Sequence, residues 1–134
     1  MLMATKEKRI KYLSYAYHGK CHDINILRTE FDSERGLWFE EHAVHVDLGY
    51  LGIADEYGFK KLSIPYKKKP KKELEEWQKV ANKTKNKIRV TVENSIAGLK
   101  RYRFLSDRLR CRKMSFYNKV IGICAGLWNF CLTY

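Results

Sequence analysis

Ala43-Val44-His45-Val46-Asp47-Leu48-Gly49-Tyr50-Leu51-Gly52 is the stretch on which the reading of the fold turns. Ala43 to Asp47 reads as a strand largely buried on one or both faces, and it runs into a segment whose two glycines permit a tight turn. Upstream, Ile10 to Tyr17 is aromatic-rich, ends at Gly19 and reads as a strand. Asp23 then reads as an N-cap, and Ile24, Ile26, Leu27 and Phe31 as the apolar positions of a short helix that Gly36 ends. Downstream, Ile53 to Tyr57 reads as a short helix stopped by Gly58, and Lys61 to Pro65 as a third strand. Glu73, Glu75 and Glu76 fall in the first turns of a helix, where acids complement the dipole, with a break expected near Asn82 to Asn86. Ile88, Val92, Ile96 and Leu99 then form one helical stripe. The last helix, from about Ser115 to Leu132, is apolar nearly all round, which predicts burial.

This order of elements predicts an α/β fold with a parallel sheet flanked by helices. The length fits one domain over residues 1–134, with a strand and helix part at 8–66 and a basic segment with helices at 67–134. Three strands and a long helical tail look like the back part of a larger sheet domain.

Charge narrows the class of partner. The chain carries 27 Lys and Arg against 15 Asp and Glu, a formal net charge of +12. A fold does not need that excess; it draws in polyanions, nucleic acid first and an acidic membrane surface second. The longest apolar stretch, Val120 to Leu132, contains Gly122, Gly126 and Asn129 and is too short for a bilayer core of ~30 Å. The four cysteines, Cys21, Cys111, Cys124 and Cys131, form no C-x-x-C pair and read as reduced thiols. The N-terminus turns charged at once and has no apolar signal core, so a cytoplasmic, nucleoid-associated protein is expected.

Two carboxylates stand out. Asp47 lies where a strand ends and a glycine turn begins, the place where α/β sheets form ligand sites; the alternative is an Asp that caps or terminates a turn. Glu93 sits beside the apolar stripe with Arg89 one turn before it and the small Ala97 and Gly98 one turn after. It is either a ligand that needs small neighbours for close approach or a solvated partner of Arg89. The run Lys67, Lys68, Lys69, Lys71 and Lys72 reads as a phosphate-contact segment or a solvated linker. Lys100, Arg101, Arg103, Arg108, Arg110, Arg112 and Lys113 form a second, diffuse basic cluster beside Glu93. His18, Cys21, His22 and Asp23 crowd one turn without a second ligand pair elsewhere, a weak zinc pattern. His45 lies on Asp47's side of its strand by alternation and could line the same cleft, while Trp77 and Trp128 read as packing.

Taken in order, these segments resemble the DDE transposases of the insertion-sequence five group and their Harbinger-like relatives. Val46-Asp47-Leu48-Gly49-Tyr50-Leu51-Gly52 is similar to that family's Asp-x-Gly-Tyr-x-Gly segment. Ile64-Pro65-Tyr66-Lys67-Lys68 looks like its Pro-(His/Tyr)-Lys segment. Arg89-Val90-Thr91-Val92-Glu93 through Leu99-Lys100 resembles its Arg-x-x-(Val/Ile)-Glu…Leu-Lys signature, and His18-Gly19-Lys20-Cys21-His22-Asp23 its Gly-x-x-His-Asp.

The resemblance implies an RNase H-like fold and a two-metal site, with Asp47 and Glu93 as the second and third catalytic acids holding Mg²⁺ or Mn²⁺. The basic runs and Arg89 would hold DNA. The family's first aspartate has no counterpart here. The expectation is therefore the C-terminal half of a transposase catalytic domain, incomplete and inert alone, whose partners are DNA and the N-terminal half, with homo-oligomerisation left open and no membrane. The rival expectation is a non-catalytic basic nucleic-acid-binding protein.

Overall fold

The computed structural model describes residues 1–17, 19–32, 38–107 and 113–133. Gly36, expected to end the first helix, lies outside them, as do His18, Arg108, Arg110, Cys111 and Arg112. The chain is mixed α/β and divides into two compact units, Gly19–Arg89 and a second made of Met1–His18 with Val90–Tyr134.

In the unit 19–89, α1 (Asp23–Glu30) and α2 (Trp38–Glu41) precede β3 (Ala43–His45), which pairs in parallel with β4 (Lys61–Ser63). Between the strands lie two 3₁₀ turns, Leu48–Tyr50 and Ile53–Asp55. Ile26, Leu27, Phe39 and Ile53 are buried. Phe39 is the hub of the core: its ring packs against Phe31, Tyr57 and Phe59 with centroids 5.1–5.5 Å away. Such aromatic packing contributes about 0.5–1.5 kcal/mol per pair beyond area burial. Arg28 and Glu56 make a two-pronged ion pair across the unit's surface.

The strand expected to be buried is not. Ala43 and His45 are exposed and Val44 half-buried, because a two-stranded ribbon covers little of either face. The parallel pairing itself agrees with expectation.

In the second unit, β1 (Leu2–Ala4) and β2 (Ile10–Leu13) form an antiparallel hairpin. The sequence reading missed β1 and drew β2 four residues too long. Lys8 takes a left-handed conformation (φ 67°) at the hairpin's corner, and the register shifts between Met3 and Ala4 as a bulge. The helices hold this corner: Ser95 Oγ and Trp128 Nε1 both donate to the Lys8 carbonyl, at 2.9 and 3.0 Å. Asn129 clamps Ile10 through its backbone N–H and carbonyl, both at 2.8 Å.

α3 (Glu76–Leu99) is continuous, without the break expected near Asn82–Asn86. Its first part belongs to one unit and its last turns to the other. Glu76 opens the helix, so Glu73 and Glu75 precede it. Its inward stripe holds at Ile88, Val92 and Leu99 and departs from expectation at Ile96. Ser95 is fully buried and Leu99 nearly so, while Ile96 is 38% exposed. A buried hydroxyl that bonds both Lys8 and Thr91 carbonyls displaces an isoleucine from the core face.

The short α4 (Arg103–Ser106) leads toward α5 (Met114–Cys131). α5 buries one face only, at Cys124, Ala125 and Trp128; Phe116, Ile123, Leu127 and Phe130 are exposed, against the expectation of all-round burial. Among the described residues, no helix is long and apolar enough to cross a membrane.

Candidate functional site

One residue, Val46, separates Asp47 from β3. Val46 N–H donates to the Ser63 carbonyl at 3.1 Å, extending the β3–β4 pairing to the residue before the acid. Asp47 is extended (φ −84°, ψ 172°), and its carbonyl accepts from Tyr50 N–H at 3.1 Å to start the first 3₁₀ turn. Its Oδ1 accepts from Leu48 N–H at 2.8 Å, and its Oδ2 lies 3.5 Å from Arg89 Nη1. Both side chains of that pair are about half exposed. Asp47 therefore does cap a turn, as the simpler reading held, and it also presents a carboxylate on an open surface. Gly52 at φ 95° then swings the chain so that Ile53 enters the core.

The start of α1 packs against this turn. His22, not Asp23, occupies the N-cap position, and Asp23 lies in the first turn. A Cβ on Gly49 would meet Asp23 Oδ2 at 3.3 Å, so the glycine permits the carboxylate's close approach. Tyr50 is half-buried beside both acids. Burial first, then the charges of Asp23 and Asp47, push its phenol up to about 12. Sequence reading missed Tyr50 and Gly49 as functional neighbours; the Gly-Tyr in the quoted motif was the available signal.

Glu93 is exposed on α3, four residues after Arg89. Gly98 is not small on a ligand's account. It is buried, and a Cβ there would lie 2.4 Å from Trp128 Cε3, so its role is packing. Ala97 is exposed. In the second basic cluster, Arg101 lies over the Trp128 ring at 5.6 Å, Arg103 pairs with Asp107 at 3.8 Å, and Lys100 is exposed.

Among the described residues there is no group of three or more His, Cys, Asp or Glu placed to hold a metal ion. The half-exposed carboxylate of Asp47 is nonetheless of the oxygen-donor type that Mg²⁺ takes, and so is that of the exposed Glu93. The described cysteines, Cys21, Cys124 and Cys131, are free thiols.

The lysine run forms a tight turn. Lys72 N–H donates to the Lys69 carbonyl at 3.2 Å, with Pro70 and the left-handed Lys71 (φ 63°) between them. Next to it Trp77, expected to pack, is 55% exposed and stands edge-to-face with Tyr66.

Comparison with known proteins decides the family. The model of the DDE superfamily endonucleases matches residues 1–129. The chain belongs to the DDE superfamily endonucleases. This DDE chain is also 34% identical over 114 residues to a protein of Microchaete diplosiphon named "Probable transposase for insertion sequence element IS702". The match takes in 84% of the chain and 38% of that relative, so the DDE chain spans well under half of the relative's length. No solved structure matches it.

Proposed function

We propose that this DDE chain supplies the second and third acids, Asp47 and Glu93, of a divalent-metal site for DNA strand cleavage and transfer in transposition, on an RNase H-like scaffold. The observation that carries the reading is family membership along nearly the whole chain, with Asp47 at a strand end and its carboxylate open to solvent. Mg²⁺ or Mn²⁺, when bound, would stabilise charge on the attacking and leaving oxygens. The chain's own contribution is to hold oxygen donors in place: the Leu48 amide fixes one oxygen of Asp47, and the helix backbone fixes Glu93. Arg89, beside Asp47, and the lysine run supply positive charge for phosphates.

No residue of the sequence matches the family's first aspartate. In this reading residues 1–134 by themselves are inert, and a segment bearing that aspartate completes the site. The purified chain is expected to bind duplex DNA with a steep salt dependence and to show no Mg²⁺-dependent nicking. Nicking is expected once the segment bearing the first aspartate is supplied, and to vanish in Asp47→Ala or Glu93→Ala. Nicking that survives both substitutions would overturn the assignment. Salt-dependent binding without metal-dependent nicking in the complemented protein would favour a non-catalytic DNA-binding role.

A further inference from the structure

The Tyr66–Trp77 corner is built in a way that packing does not explain. Trp77 leaves 55% of its surface in solvent. Its indole N–H is already satisfied by the Glu75 carboxylate, which anchors the ring's edge. Tyr66 meets it edge-on, with centroids 5.1 Å apart and planes at 76°.

Tyr66 is itself fixed. Asn82 grips its backbone twice, accepting from its N–H at 2.8 Å and donating to its carbonyl at 3.0 Å. Lys85 donates to the Ile64 carbonyl at 2.6 Å, with its ammonium 4.2 Å from the centre of the Tyr66 ring. A cavity opens beside Tyr66, lined by it, Leu74 and Gln78 together with Lys67, Lys69 and Lys72 and the carboxylates of Glu73 and Glu75.

The carboxylates offset these lysines only in part: Glu73 also faces Lys68 at 3.7 Å, Glu76 faces Lys79 at 2.7 Å, and the cavity's three lysines outnumber its two glutamates. An exposed, pre-oriented aromatic face next to clustered ammonium groups is complementary to a base stacked on the ring with its flanking phosphates on the lysines.

We propose that Trp77, braced by Tyr66, is a stacking site for an unpaired base of single-stranded or frayed DNA, with Lys67, Lys69 and Lys72 on the adjoining phosphates. The inference rests on the DNA-binding part of the function proposed above and assigns it a strand state.

The test compares a fluorescein-labelled oligothymidylate with a duplex of the same length, using the full chain, both at one fixed salt and across a salt series. Trp77→Ala should weaken single-strand binding about fivefold to a hundredfold, the range of one base–aromatic stack, and leave duplex binding within about twofold. Trp77→Phe should restore most of the single-strand affinity. Replacing Lys67, Lys69 and Lys72 together by Gln should lower the single-strand salt slope by about 2, since each phosphate contributes ~0.7. Oligothymidylate should also quench wild-type tryptophan fluorescence more than that of Trp77→Phe.

An unchanged single-strand affinity in Trp77→Ala, with the lysine variant weakened, overturns the stacking site and leaves DNA binding standing. Wild-type affinity for both probes in the lysine variant removes the run from DNA binding altogether. Equal losses on single strand and duplex in Trp77→Ala would make the tryptophan structural, and unaltered thermal melting of that variant would exclude unfolding as the cause of any loss.

Discussion

Trp128 lies against Gly98 so closely that a single added carbon at residue 98 would sit 2.4 Å from the indole. The contact joins α3 to α5 and sets the indole N–H on the Lys8 carbonyl. Gly98→Ala gains about 1 kcal/mol of helix propensity, but overpacking a tight contact costs about 1–3 kcal/mol and here meets a rigid ring. We expect a net loss of about 1–2 kcal/mol in urea unfolding. Combining it with Trp128→Leu should give less than the sum of the two losses, because the pair is in contact.

Asp47 combines a turn cap with a half-exposed ion pair. Exposed pairs contribute about 0–1 kcal/mol, and a lost cap costs about 1 kcal/mol. Asp47→Asn, which can still cap, should stay within about 1 kcal/mol of wild type in thermal or urea unfolding, while Asp47→Ala should lose about 1 kcal/mol more. Asp47→Asn is thus the variant that tests the proposed metal-ligand role without a loss of folding.

Tyr50 should titrate near 12 in an ultraviolet difference titration. Asp23→Asn and Asp47→Asn should each lower that value by removing a negative neighbour. The folded state holds the phenolic proton above the ordinary value of 10.0. Between those two values the unfolded chain has released more protons than the folded one, so Tyr50 makes stability fall as pH rises through that window and adds no pH dependence below it.

Lys71 holds a left-handed backbone that costs a side-chain-bearing residue about 1–2 kcal/mol. Lys71→Gly should raise stability by about 0.5–1 kcal/mol, the remainder being offset by glycine's larger unfolded-state entropy. It should also reduce the salt slope of DNA binding by about one phosphate contact.

Burial pushes the Cys124 thiol up, whereas Cys21 and Cys131 are exposed. A thiol reagent should therefore modify Cys21 and Cys131 quickly in the native protein and Cys124 only on unfolding.

Much of this protein was legible without coordinates. Local chemistry announced the Asp47 turn, the parallel strand that precedes it, the first helix and the helical character of the segment after the lysine run, though not that helix's continuity, because glycines, capping residues and period act over a few neighbours. The ordered motifs pointed to the family that the comparison then established. Tertiary structure alone decided which faces those elements bury. Ser95 displaces Ile96 from the core because its hydroxyl finds the Lys8 carbonyl 87 residues away. Gly98 serves Trp128 rather than a ligand, and Asp23 reaches the Asp47 turn because Gly49 leaves room. α5, apolar all round, covers only one face, and Trp77 stands in solvent. Burial depends on which distant side chains arrive, and no window of sequence holds that information.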